Sequence, residues 1–264
     1  MAEISAEAVR ALREATGQGM MECKKALQET KGDIEAAKDL LRKKGLVTAE
    51  KKAGRATGEG LIAVSMNAEK TSAAMVEVRC ETDFCARNEV FRAMVKKVAD
   101  LAAAGADGTV EPTAAMKQAV QEALAKIGEN MSVAKAIKIS APRVGAYIHH
   151  NGKVGVLVGV EGEIDDATLA DLCMHIAFAD PIGITTADVP AKLVDKEREI
   201  AKDQAAASGK PANIVEKMVE GKVAKFLAAN ALLEQPFIRD DKKKVKNILG
   251  AAKVKAFARF AVGQ

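Results

Sequence analysis

Between Leu61 and Val262 one pattern of periodicities occurs twice, and it restricts the chain to few folds. Leu61 to Met66 and Ala73 to Cys80 are short runs of apolar, often β-branched residues in loose alternation with polar ones. Past Arg87, the residues Val90, Phe91, Met94, Val95, Val98 and Leu101 recur at helical spacing. Val144 to His149 and Val154 to Val160 repeat the paired runs, and Leu169 to Ala177 repeats the helix. Each pair finds a third strand further on, Ser132 to Ile139 for the first and Lys255 to Val262 for the second. Alternating runs have one face for a core and one for water. Two related antiparallel sheets follow, each with helices on one side, an α+β fold. Asn151-Gly152 predicts a tight type I′ turn in the second hairpin, with positive φ at both central residues.

Three short helices precede the repeats. Ser5 caps the first, Val9 and Leu12 share its face, and Gly17 ends it. Gly19 opens the second, which carries Met20, Met21, Cys23, Ala26 and Leu27. Asp33 caps the third, with Ile34, Ala37, Leu40 and Leu41 inward and Lys43, Lys44 and Gly45 at its end. So small a unit has a thin core and leaves apolar residues for a partner. Residues 51–60, charged and holding Gly54, Gly58 and Gly60, read as a linker. The chain therefore divides into 1–50, 51–60, 61–140 and 141–264. Each repeat carries a helical insertion. Thr113 to Ile127 places Met116, Val120, Leu124 and Ile127 on one stripe ending at Gly128. Ala191 to Ala207 and Asn213 to Ala229, joined by Ser208-Gly209-Lys210-Pro211, predict a helical hairpin over about 191–229. Its seam of Val194, Ile200, Ala201, Ile214, Met218 and Phe226 is narrow, so it should project as an arm.

Composition narrows the function. The basic surplus is +4 on 264 residues of which 29% are charged, too weak a field to imply nucleic acid. One tyrosine and no tryptophan make no stacking platform for single strands. Cys23, Cys80, Cys85 and Cys173 lack paired Cys-x-x-Cys spacing, so neither zinc nor a disulfide framework is expected. They read as reduced, mostly buried thiols of a cytosolic protein. No apolar leader opens the chain and no apolar run approaches about 18 residues, so a soluble cytoplasmic protein is expected. His149 and His150, adjacent in a strand, should point to opposite faces and so share no metal. No cofactor is expected.

The period switches at Cys80-Glu81-Thr82-Asp83-Phe84-Cys85-Ala86-Arg87. Thr82 and Asp83 are helix-capping types, so residue chemistry alone makes Asp83 a cap and Phe84 a packed core residue. His175, late in the second repeat's helix and on a face with Leu172 and Ile176, reads likewise as a satisfied core or surface histidine. A resemblance offers another reading. Thr82-Asp83-Phe84 is similar to the Thr-Asp-Phe-Val signature of the elongation factor Ts family, and Leu12 to Leu27 resembles that family's N-terminal motif nearly residue for residue. Lys126 to Asn130, Met174 to Ala177, Ser208 to Pro211, Glu216 to Gly221 and Gln235-Pro236-Phe237 resemble further landmarks in family order.

The resemblance implies a guanine nucleotide exchange factor, acting without covalent chemistry, that binds elongation factor Tu·GDP and promotes GDP release for GTP reloading. It implies that residues 1–50 are a three-helix module similar to ubiquitin-associated domains, docking through Arg13, Met20 and Met21. Phe84 becomes an apolar wedge guided by Asp83. Thr82 to Cys85 together disturb the partner's Mg²⁺ site, and His175 presses on its phosphate-loop side. The helical hairpin corresponds to a coiled-coil protrusion, with self-association left open. Cys85 stands where the family commonly has valine, similar in size but adding an oxidisable thiol. An extra C-terminal helical segment found in some relatives is expected to be absent. Two other classes have thinner support. An RNA-binding module would rest on Lys242-Lys243-Lys244, a run that also reads as a helix cap or a solvated face. A thiol-dependent enzyme would need a cysteine near His175 and an oxyanion site, and the sequence selects neither.

Overall fold

Three helices open the computed structural model, which describes residues 4–52, 54–206 and 211–264: α1 (Ala6–Thr16), α2 (Met20–Glu29) and α3 (Ile34–Lys52). Ser5 accepts from the Ala8 N–H to cap α1, and Gly17 ends it in the left-handed conformation at φ +68°. Val9, Leu12, Cys23, Ala26, Leu27, Ala37 and Leu41 form the shared core. Two expectations fail here. Ile34 is exposed, because it opens α3 at the edge of so small a core. Gly45 does not end α3, which continues to Lys52. A Cβ at Gly45 would lie 3.5 Å from the Ala125 Cβ, so the missing side chain serves close helix approach and not a turn.

β1 (Glu59–Met66) and β2 (Ser72–Cys80) form the first hairpin, closed by the Asn67 side-chain oxygen, which accepts from the N–H groups of Thr71 and Ser72. Then come α4 (Asp83–Arg87), α5 (Glu89–Ala103), β3 (Gly108–Thr109), α6 (Ala114–Ile127) and β4 (Met131–Ser140). Gly128 ends α6 as predicted, and Thr113 caps its start, accepting from the Met116 N–H. The sheet order is β1-β2-β4-β3, so the foreseen third strand is internal. The two-residue edge strand β3 is too short to carry a periodicity. Val76 and Val78 of β2 pack against Phe91, Met94 and Val98 of α5 and Met116, Val120 and Leu124 of α6. Glu77, fully buried, is neutralised by Arg79 Nε at 2.6 Å and also accepts from the Gly263 N–H at 3.2 Å.

β5 (Arg143–Ile148) pairs antiparallel with β6 (Val154–Glu161), and α7 (Asp166–Ala179) follows. A Cβ at Gly145 would fall 2.8 Å from Leu169 Cγ and 2.9 Å from Cys173 Sγ, so glycine there lets α7 lie close on β5. The type I′ expectation fails. Strand pairing stops at Ile148 and Gly155, the Gly152 N–H closes on the His149 carbonyl at 2.7 Å, and only Gly152 has positive φ. Asn151 instead turns its side-chain oxygen to the Lys153 N–H at 3.0 Å. His149 and His150 therefore lie past the strand end, where alternation no longer holds, and their ring centroids are 4.2 Å apart.

α8 (Ala191–Ala206) and α9 (Ala212–Asn230) form the foreseen helical hairpin; the joining residues Ser208 to Lys210 lie outside the described residues. The seam is Ala201, Ala205, Val219 and Val223, with Val194, Val215, Met218 and Leu227 beside them. Ile200 and Ile214 are exposed, since each sits one residue, about 100°, off the buried stripe, and Phe226 lies outside the seam. The charged run β8 (Asp240–Lys244) forms a small hairpin with β7 (Pro236–Phe237), which the sequence reading missed because β8 has no apolar alternation. α10 (Val245–Ile248) and β9 (Lys253–Ala261) complete the chain, and the sheet runs β5-β6-β9. Contacts divide the molecule into two compact units, one of Met1–Ser65, Ala74–Lys138 and Phe260–Gln264, the other of Met66–Ala73 and Ile139–Arg259. Among the described residues no helix is long and apolar enough to cross a membrane, and no cluster of His, Cys, Asp and Glu is able to hold a metal.

Candidate functional site

The Phe84 side chain is 79% exposed, so its reading as a packed core residue fails. Its neighbours Cys85 and Ala86 are buried, which anchors the short helix α4 while the ring stays in water. The cap is Thr82: its Oγ1 accepts from the Cys85 N–H at 3.2 Å and donates to Glu129 Oε1 at 2.7 Å. The Thr82 N–H donates to the other Glu129 oxygen at 3.0 Å. Glu81 accepts from the Asn130 N–H at 2.6 Å, and Asn130 Nδ2 donates to the Arg55 carbonyl at 2.8 Å. Two carboxylates thus clamp the segment with charge-assisted hydrogen bonds, and a turn held this way has little conformational freedom left to lose on binding. Asp83 is the first residue of α4 and not its cap; it pairs with Arg87 at 3.1 Å, an exposed contact of little energetic weight.

Sequence reasoning missed Glu129, Glu81 and Arg55 as parts of this site. The signal lay in Gly128-Glu129-Asn130, where a left-handed helix stop delivers a carboxylate and an amide side by side. Cys85 itself is buried. A hydrogen bond with Cys80 and burial push its pKa up, which disfavours the reactive thiolate. Burial likewise pushes Cys173 up to about 12.

At the corner between α1 and α2 the apolar surplus predicted for a small helical unit is visible. Met20 and Met21, opening α2, are exposed, as is Arg13 in the last turn of α1. Both methionines therefore remain available to another surface.

In the second unit His175 is buried, its Nε2 lying 3.0 Å from Gln235 Oε1. Gln235 Nε2 donates to the Ala229 carbonyl at 2.7 Å, which leaves its oxygen to accept from the imidazole. Among the described residues Nδ1 has no hydrogen-bond partner, and burial lowers the pKa below 6.5 against the opposing Gln235 bond. Cys173 and His175 stand two apart on α7 and so do not face each other, which removes a nucleophile pair of these two residues. Lys243 pairs with Asp240 at 3.3 Å, while Lys244 and Lys246 hold Glu234 at 2.7 and 2.8 Å, so the basic run is largely neutralised. These two lysines keep the Glu234 carboxyl below its ordinary range. The structure holds Thr82 to Cys85 in one turn, leaves Arg13 exposed late in α1 and Met20 and Met21 exposed at the start of α2, and buries His175 against Gln235 and Phe237 in the second unit.

A turn whose hydrogen bonds hold an aromatic ring in water, and separate helix ends that expose methionines, define an α+β protein with large apolar side chains at its surface. Residues 81–264 match the family model for elongation factor Ts. The chain is similar to elongation factor Ts of Thioalkalivibrio sulfidiphilus, at 46% identity over 273 residues covering 99% of this chain and 92% of that one. It is also similar to those of Rhodospirillum centenum, at 45% with 100% and 94% covered, and Aquifex aeolicus, at 40% with 98% of each covered. The chain belongs to the elongation factor Ts family.

Proposed function

We propose that this chain is a guanine nucleotide exchange factor that binds elongation factor Tu·GDP in the cytoplasm and promotes GDP release, so that GTP reloads during translation elongation. The observation that carries the proposal is Phe84, 79% exposed on a turn clamped by Glu129 and Glu81. A ligand shifts a conformational equilibrium only by its differential affinity for the two states. Phe84 acts as a wedge if it fits only the partner conformation whose Mg²⁺ site is disturbed. Thr82 and Cys85 hold its base and Asp83 guides its approach. Coupling is reciprocal: the factor by which this chain loosens GDP is the factor by which GDP loosens this chain.

On this proposal residues 1–50 dock through Arg13, Met20 and Met21, residues 51–60 link them to the two sheet-and-helix subdomains, and the hairpin of about 191–229 is an arm open to self-association. His175 serves the phosphate-loop side through the helix it braces from inside. Nucleic acid, membrane and cofactor have no part. The test is to mix the protein with elongation factor Tu loaded with fluorescent GDP and follow release. Acceleration that saturates with this chain supports the proposal, and release at the spontaneous rate overturns it.

A further inference from the structure

The last turn of α7 carries Phe178, 78% exposed, a ring that the wedge mechanism leaves unused. The helix end beneath it is braced at several points. Asp180 ends α7 in the left-handed conformation at φ +46°, an uncommon state for a residue with a side chain. Arg259, only 15% exposed, donates from Nε to the Ala177 carbonyl at 3.0 Å and pairs with Asp180 at 3.2 Å. Gln235, which holds His175 from within, also approaches the Ala179 carbonyl at 3.4 Å. Asp171, Met174 and Phe178 share one helical face, and Arg239 lies across the first two, at 3.0 Å from Asp171 Oδ1 and 3.9 Å from Met174 Sδ. Ile182, just past the cap, is also exposed.

We infer that Phe178, flanked by Ile182, is the side chain through which α7 touches elongation factor Tu, and that His175 is a positioning residue acting through it. The inference rests on the exchange function proposed for this chain. His175, being buried, has no surface to offer, whereas Phe178 stands three residues further along the same helix and is largely exposed. The charged residues that flank Phe178 on this helix and its cap, Asp171 and Asp180, are paired within this chain with Arg239 and Arg259, so the contact is apolar and takes an apolar depression on the partner. Area decides the occupant. One aromatic ring buries roughly 150–250 Å², whereas a self-standing interface needs about 800 Å² on each side. The patch is too small to hold a second copy of this chain and fits as one contact of a larger interface.

The test compares Phe178→Ala with wild type for affinity toward nucleotide-free elongation factor Tu, measured by calorimetry, with thermal melts and sedimentation alongside. Binding at least about tenfold weaker, with an unchanged melt, supports the inference. His175→Ala should weaken binding, and its loss should be largely absent when Phe178 is already alanine, because both act through one contact. Fully additive losses overturn the positioning role. Wild-type affinity in Phe178→Ala, with wild-type protein still releasing GDP, overturns the contact and leaves the exchange function intact. Wild-type protein that releases no GDP removes both. A wild-type dimer broken by Phe178→Ala, with partner affinity unchanged, overturns the inference in favour of self-association.

Discussion

Truncating Phe84 to alanine separates binding from folding because the ring contributes so little to its own fold. With 79% of the residue in water, its removal opens no cavity, and the Thr82 cap and Glu129 clamp use no atom of the ring. Stability should change by less than about 0.5 kcal/mol, the range of an ordinary surface substitution. A buried phenylalanine would instead cost about 3–5 kcal/mol. Binding is another matter. An aromatic side chain that buries roughly 150–250 Å² gains at most about 4–6 kcal/mol at ~25 cal/mol per Å². Truncation at interface hot spots costs about 2–4 kcal/mol, and the lower figure is roughly a thirtyfold loss of affinity. The assay is release of fluorescent GDP from elongation factor Tu across a range of concentrations of this chain, with a melt of each variant. Phe84→Ala should release GDP at least about thirtyfold less effectively at limiting concentration and melt like wild type. Normal release by a folded Phe84→Ala protein would refute the wedge, and an early melt would refute the claim that the ring is free.

Three further outcomes follow from the same geometry. Glu129→Gln removes the charge that clamps Thr82, so the amides of Thr82 and Cys85 should exchange hydrogen faster, by the equivalent of about 1–3 kcal/mol, and GDP release should slow while Phe84 is unchanged. Cys85→Val should match wild type in release and melting, and in wild type Cys85 should resist alkylation until the protein is unfolded, because burial and Cys80 disfavour the reactive thiolate. Burial lowers the His175 pKa below 6.5, so beneath that value the unfolded chain binds a proton that the folded chain refuses; stability then falls as pH drops through 6.5. Melting temperatures measured from about pH 7 to about pH 5.5 should decline more steeply for wild type than for His175→Gln.

The fold was legible wherever a periodicity ran long enough to be read. The paired strands, the returning strands at residues 131–140 and 253–261, and the Thr113 to Gly128 helix all stand where alternation or helical spacing placed them. What escaped was set by tertiary contact. Gly45 reads as a stop because glycine commonly follows a helix, and only the closeness of Ala125 explains its place inside one. Asn151-Gly152 reads as a two-residue turn, but pairing that stops at Ile148 makes the loop longer. The candidate site was legible in its residue types and not in its exposure: a phenylalanine after a capping pair has the same sequence signature whether its ring faces inward or outward.

What turns that ring outward is the placement of one carboxylate far along the chain, Glu129. Left to apolar packing, a phenylalanine beside Cys80, Cys85 and Phe91 gains more by joining that core than by facing water. Glu129 removes the option: by binding both the N–H and the hydroxyl of Thr82 it fixes where α4 begins, and that start sends Cys85 and Ala86 inward and Phe84 outward. Sliding the helix by one residue to bury the ring would expose Cys85 and leave Glu129 with neither donor, a partly buried charge stripped of its partners, at a cost of several kcal/mol. Hydrogen bonds contribute direction where burial contributes none, since apolar attraction is indifferent to which side chain fills a space. The exposed aromatic is therefore a product of the polar clamp, and it should stay exposed whatever apolar residue stands at position 85, provided that Glu129 keeps its charge.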